Sequence, residues 1–174
     1  QTLLTASFET RTSLDTDNPA LHHVIDTKRF STLDKLFRVT AYVCRFIHTL
    51  RNPSTESAEL LTAAEIIAAE QLWIRSLQRH YYSKEIQGQK TCLVRQLRLI
   101  IDKNGILRAK HRIENASLQY SAKFPILLPP NDHFTSLLIK KAHSSLMHSG
   151  TLSTMTHIRK IYWKVCGNVF EAPL

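Results

Sequence analysis

The sequence predicts an α+β fold, mostly helical: a helical pair, a central β-hairpin and a short helical module of zinc-binding type. Three observations carry this. Apolar residues recur at helical spacing through Leu33–Leu50 and again from Thr62 to Tyr81. After Gly88 the period shortens to alternation, broken by Asn104-Gly105. Near the far end, His143 and His148 bracket a polar turn between two short amphipathic runs.

A chain of 174 residues can bury a sizeable core in one domain or two small ones. Residues 1–30 are rich in Thr, Ser and Asp, show no sustained period and are expected to form a poorly ordered arm. The adjacent His22-His23 are expected to be surface histidines, because neighbouring side chains diverge on most backbones.

Residues 31–88 form the expected helical connector. Ser31 with Asp34 offers a helix start, since a hydroxyl caps a free N–H and a carboxylate suits the positive end. Leu33, Leu36, Phe37, Val43, Cys44, Ile47 and Leu50 then share one stripe. Cys44 reads as a small buried hydrophobe rather than a nucleophile, because no partner accompanies it. Pro53 and its polar neighbours break the helix. The T-A-A-E run from Thr62 to Glu65 is a capping box that opens a second helix. Ile66, Trp73, Leu77 and Tyr81 would pack it antiparallel to the first. A Trp/Tyr stripe could stack on bases, but at this spacing core packing is the stronger reading.

Residues 89–130 form the expected hairpin extension. Leu93, Leu97, Leu99 and Ile101 lead into Asp102-Lys103-Asn104-Gly105, and Ile106–Ile113 would return as the second strand. Arg95, Arg98, Lys103, Arg108, Lys110 and Arg112 make this the most basic part of the chain, against Asp102 and Glu114. Such a density serves either a solvated, aggregation-resistant strand edge or a surface that tracks a phosphate backbone. The net charge of +9 favours an anionic partner, with nucleic acid the default candidate and a merely solvated basic surface the alternative. Phe124–Pro130 reads as a strand or a segment tucked against the core.

In residues 131–174, Asn131 or Asp132 would cap a helix burying Phe134, Leu137, Leu138 and Ala142, with Lys140 and Lys141 near its end. His143 would project from its last turn and His148 from the turn beyond. Thr151 would cap a last helix turning Leu152, Met155, Ile158 and Tyr162 inward. A His-x4-His pair supplies two imidazole nitrogens to a zinc ion that needs two more ligands. Cys166 is a single thiol with no Cys-x-x-C pattern around it, so the site is incomplete. A complete structural zinc site contributes on the order of 10 kcal/mol to folding. Two imidazoles contribute far less, and the last helices are expected to rest on apolar contacts.

The run LLIKKAHSSLMHSGTLSTMTHIRKIYW resembles the first half of the zinc-binding domain at the start of retroelement integrases, where His-x4-His is followed further on by Cys-x-x-Cys. STLDKLFRVTAYVCRFI, LTAAEIIAAEQLWIRSLQRHYYSKEI and LRLIIDKNGILRAKHRIENA with FPILLP resemble the segment joining reverse transcriptase/RNase H to integrase in Pol polyproteins of BEL/Pao-type LTR retrotransposons. The resemblance runs from Asp26 to Trp163. It implies that residues 131–174 are a truncated integrase-type zinc-binding domain, that His143 and His148 are zinc ligands, and that the basic hairpin lies near DNA. It also implies the rest of the integrase as a partner, and a homo-oligomer in the parent protein. Where relatives often carry Cys and Gly, this chain has Ala109 and His111, so no role that needs the cysteine carries over.

Catalysis is not expected. Integrases of the resembled group use three carboxylates to hold two Mg²⁺ ions, and beyond Asn115 this chain has only Asp132 and Glu171. No P-loop, Rossmann or nucleophile-elbow pattern occurs. Three widely spaced cysteines do not make a disulfide framework. No run approaches the ~20 apolar residues of a membrane span. An intracellular location, cytoplasmic or nuclear, is expected. The alternative to the Pol reading is a structural or protein-interaction module, decayed or co-opted, with no nucleic-acid role.

Overall fold

The computed structural model describes residues 21–52, 60–110 and 117–164, except for the side chains of His22, His23 and Lys164. Arg112, His111 and Cys166 lie outside the described residues, as do residues 1–20 of the expected arm. Residues 21–30 of that arm are built: α1 (Leu21–Val24) and a 3-10 turn (Thr27–Arg29) bring Leu21, Ile25 and Phe30 against the core. Scattered apolar residues suffice here because tertiary burial replaces a periodic face.

The helical pair forms as expected, except that Leu50 and Tyr81, expected on the packed stripes, face solvent at the ends of their helices. Helix α2 (Leu33–Arg51) starts from Thr32 rather than Ser31, and α3 (Ala63–Tyr81) starts from the Thr62 capping box. Thr62 Oγ1 accepts from the Glu65 N–H at 3.3 Å, and the Glu65 carboxylate accepts from the Thr62 N–H at 2.7 Å. Arg45 of α2 grips the same carboxylate with two bonds of 2.7 and 2.6 Å. Further along, Trp73 Nε1 donates to Thr40 Oγ1 at 2.8 Å, and that hydroxyl donates to the Leu36 carbonyl at 2.8 Å. Residues 45 with 65 and 40 with 73 fix the antiparallel sense. Trp73 is fully buried, so its ring packs the core and stacks on no base.

Glu65 titrates low. The Arg45 hydrogen bond outweighs the opposing effect of burial, and with the Thr62 bonds it brings the carboxyl down to about 2. A depressed carboxyl stabilises the fold above its unfolded pKa and loses that contribution as pH falls through the folded value. Glu65→Gln is therefore expected to flatten the acid limb of stability between about pH 5 and pH 2, read from urea midpoints at several pH values. Parallel curves for the two proteins would refute it.

The segment expected as one long hairpin divides. Short helix α4 (Ser83–Ile86) precedes α5 (Cys92–Leu97), where a strand was expected, and Arg98 ends α5 in the left-handed region at φ 48°. Thr91 caps α5 by accepting from the Val94 N–H, a local signal that overrides the alternation. The hairpin itself is confined to β1 (Ile100–Ile101) and β2 (Leu107–Arg108). In its loop only Gly105 takes a positive φ, at 72°, while the Asp102 carboxylate accepts from the N–H groups of Asn104 and Ile106. A side chain that imitates a turn carbonyl thus does the work expected of Asn104.

After α6 (Tyr120–Lys123), β3 (Ile126–Leu128) pairs with β2, and α7 (His133–Ser145) and α8 (Thr151–Arg159) lead to β4 (Tyr162–Lys164). The four-stranded sheet runs β1-β2-β3-β4, and its β3–β4 pair is parallel, with Ile126 opposite Tyr162. Tyr162, expected on the last helix, is in a strand instead. The Ile161-Tyr162-Trp163 run suits a strand, and the open edge of β3 provides its partner.

One core gathers Leu36, Phe37, Trp73, Leu77, Ile106, Leu128 and Phe134, so helical pair, hairpin and C-terminal segment share it. A smaller cluster joins Tyr82, Leu107 and Leu127 beneath Leu93, Leu97 and Trp163. Gln78, with no exposed surface, links α3 to the sheet. Its amide nitrogen donates to the carbonyls of Leu107 and Leu127 at 2.8 Å, and its oxygen accepts from the Leu107 N–H at 2.7 Å.

Candidate metal centre and nucleic-acid interface

Apolar contacts of Phe134, Leu137 and Leu138 fasten α7 to the core, as expected, and Asp132 caps it through the Phe134 N–H at 2.8 Å. Its end is unusual. The His148 N–H returns to the His143 carbonyl at 3.1 Å and the Met147 N–H to Ser144 at 3.2 Å, a reverse turn of the kind glycine normally closes. Here Met147 and His148 take left-handed φ values of 52° and 57°. Such non-glycine positions cost of order 1–3 kcal/mol each and persist only where the surroundings enforce them.

The turn folds His148 back over His143. Their ring centroids are 5.0 Å apart with planes at 73°. Two imidazoles on one tetrahedral ion, with Zn–N bonds of ~2.0–2.1 Å, hold their centroids roughly 5 Å apart. His143 is oriented by Thr154, which is buried on α8 with its Oγ1 3.3 Å from His143 Nδ1. Thr154 Oγ1 also lies 3.4 Å from each of the Ser149 and Gly150 carbonyls. The sequence reading missed Thr154; the only available signal is a threonine where the helical stripe would place an apolar residue.

Among the described residues no third His, Cys, Asp or Glu joins the pair. The corner thus offers two ligands where a structural zinc takes four. Its surroundings are open: His148 is exposed, and so are Met147 at 88% and Leu152 at 76%. Leu152, expected inward, faces solvent because α8 rests on its neighbours through Thr154 and Ile158, and the cap expected of Thr151 falls to Gly150.

The six cations expected on the hairpin have different surroundings. Arg95 lies exposed on α5, Arg98 at its end and Lys103 in the hairpin loop. Lys110 is half-buried, and its N–H donates to the Leu97 carbonyl at 3.1 Å, which sets it beside Arg98. Five residues of extended chain span at most ~18 Å, which bounds the separation of Arg98 and Lys103. Arg108 is different. Its Nε meets Asp102 at 2.6 Å, Nη1 donates to the Phe124 carbonyl at 2.9 Å, and the guanidinium lies over Tyr120. Burial alone would raise the Asp102 carboxyl, but Arg108 and two backbone N–H groups hold it below the usual carboxylate range. Arg108 is thus spent inside the fold. Arg112 lies outside the described residues.

Comparison with protein-family models, with curated proteins and with solved structures finds no match. No helix among the described residues is long and apolar enough to cross a membrane.

Proposed function

We propose that this chain is a noncatalytic module of a retroelement Pol polyprotein, an integrase-type zinc-binding region with its preceding connector, which helps hold DNA for integration. The observation that carries this reading is the His143–His148 corner: two imidazoles at 5.0 Å, one with its Nδ1 3.3 Å from the buried Thr154 hydroxyl, on a strained turn between two helices. His143 and His148 would give a zinc ion two of its ligands, and such an ion is structural, fastening the α7–α8 turn. Arg95, Arg98 and Lys103 would meet phosphates, with Lys110 at the margin. The working compartment is intracellular, cytoplasmic or nuclear, where such DNA is found.

Two measurements test this. Thr154→Val removes the hydroxyl that contacts His143 Nδ1 and is expected to weaken zinc binding about 10–100-fold by calorimetry; unchanged affinity would mean that Thr154 does not position the ligand. For DNA, affinity is measured across a salt series for the parent and for Arg95→Ser/Arg98→Ser/Lys103→Ser, leaving the structural Arg108 intact. Three lost phosphate contacts flatten the log–log slope by about 2–3. Equal slopes would reject the DNA role.

A second reading, a protein-interaction module without a nucleic-acid role, is favoured by α2. Val39, Tyr42, Phe46 and Leu50 recur at i, i+3, i+7 and i+11 and are 41–67% exposed, an apolar stripe opposite the buried face. Equally weak DNA binding by both proteins would make this the better account.

A further inference from the structure

Helix α2 presents to solvent a ridge that takes no part in the core. Tyr42, Phe46 and Leu50 stand one turn apart in a single i, i+4 row, and Val39 extends it, so roughly 16 Å of apolar edge lies along the helix. The ridge is braced. The Arg45 guanidinium lies over the Tyr42 ring at 5.9 Å, and Arg45 is itself fixed by the Glu65 carboxylate and by the Leu60 carbonyl at 2.8 Å. At one end the charge is of a single sign. Lys35 stands one turn before Val39 and Arg38 one turn before Tyr42; both are exposed, and neither meets a carboxylate among the described residues. Asp34, the only acid of α2, is engaged by Lys141 at 2.7 Å, and Glu65 of α3 by Arg45.

We propose that this ridge docks an amphipathic helix of another protein, one whose apolar face is bordered by carboxylates that meet Lys35 and Arg38. This rests on the protein-interaction reading of α2 and names the chemistry of its partner. A narrow ridge fits the groove between the side-chain rows of a second helix. Lys35 and Arg38 then select the occupant by charge and set its direction along α2. A second copy of this chain is a poor occupant, because the same face offers it cations and no unengaged acid, and each chain carries a charge of +9.

The probes are two designed helical peptides with the same leucine face, one bordered by glutamate and the other by lysine, titrated into the full chain and followed by fluorescence anisotropy. The glutamate peptide is expected to bind at least about 10-fold tighter than the lysine peptide. Phe46→Gln, at an exposed position, is expected to weaken it about 10-fold or more, with circular dichroism unchanged. Lys35→Glu/Arg38→Glu is expected to reverse the preference between the peptides, a result that misfolding does not give. Equal binding of the two peptides by the parent chain would overturn the acidic partner while leaving α2 a protein-docking face. Binding of neither would overturn both. Binding to phosphatidylserine/phosphatidylcholine vesicles that is lost in Phe46→Gln would assign the ridge to a membrane surface instead, and a dimer in light scattering that is lost in the same variant would assign it to a second copy.

Discussion

Gln78→Leu is expected to destabilise the fold by about 3–5 kcal/mol, the sum of the buried backbone groups it would leave without partners. The leucine matches glutamine in bulk, so cavity formation contributes little and the lost polar contacts dominate. The Leu107 N–H and the carbonyls of Leu107 and Leu127 all lose side-chain partners in the interior, where water cannot replace them. Gln78→Glu discriminates further. It keeps an acceptor for the Leu107 N–H but turns a carboxylate toward two carbonyls, and is expected to be at least as damaging. Urea unfolding gives the answer: a loss below about 1 kcal/mol in Gln78→Leu would show that the strands satisfy these groups otherwise.

Trp73→Ala has a comparable expected effect, about 3–5 kcal/mol, from a different cause. Trp73 is fully buried and stacks on Phe134 at 6.3 Å, while Phe37 approaches the same ring at 6.0 Å. Truncation opens a cavity between α2, α3 and α7. Trp73→Phe keeps most of the packing and removes only the bond to Thr40, whose hydroxyl still donates to Leu36. Its cost is expected near 1 kcal/mol. If the two variants were equally unstable, the hydrogen bond rather than the volume would govern this contact.

The helices were legible because their signals are local. The Thr62–Glu65 box, the stripe of α2 and the apolar face after Asp132 each lie within a few turns of chain. The sheet was legible in its turn, in the return strand after Gly105 and in the apolar Phe124–Pro130 segment, but not in its strand bounds or its parallel closure. Strands of two or three residues are too short to show a period, and what makes Ile126–Leu128 and Tyr162–Lys164 strands is each other, across 36 positions of sequence. Arg108 shows the same limit in the site. A cation in a basic run reads as surface until Asp102, folded back by its own turn, removes it from solvent. The histidine pair was legible as a spacing; the left-handed turn that brings the rings together was not, because neither Met147 nor His148 advertises that conformation.

The parallel closure of the sheet has a kinetic consequence. β3, α7, α8 and β4 form a single crossover, and the Ile126 amide is held by the Ile161 carbonyl at its far end. The neighbouring strand's Leu107 amide is held by Gln78. In hydrogen exchange, two adjacent strands therefore time two separate openings: Ile126 exchanges when β4 detaches, Leu107 when α3 lets go. Anything bound at the α7–α8 turn slows the first clock and leaves the second running as before.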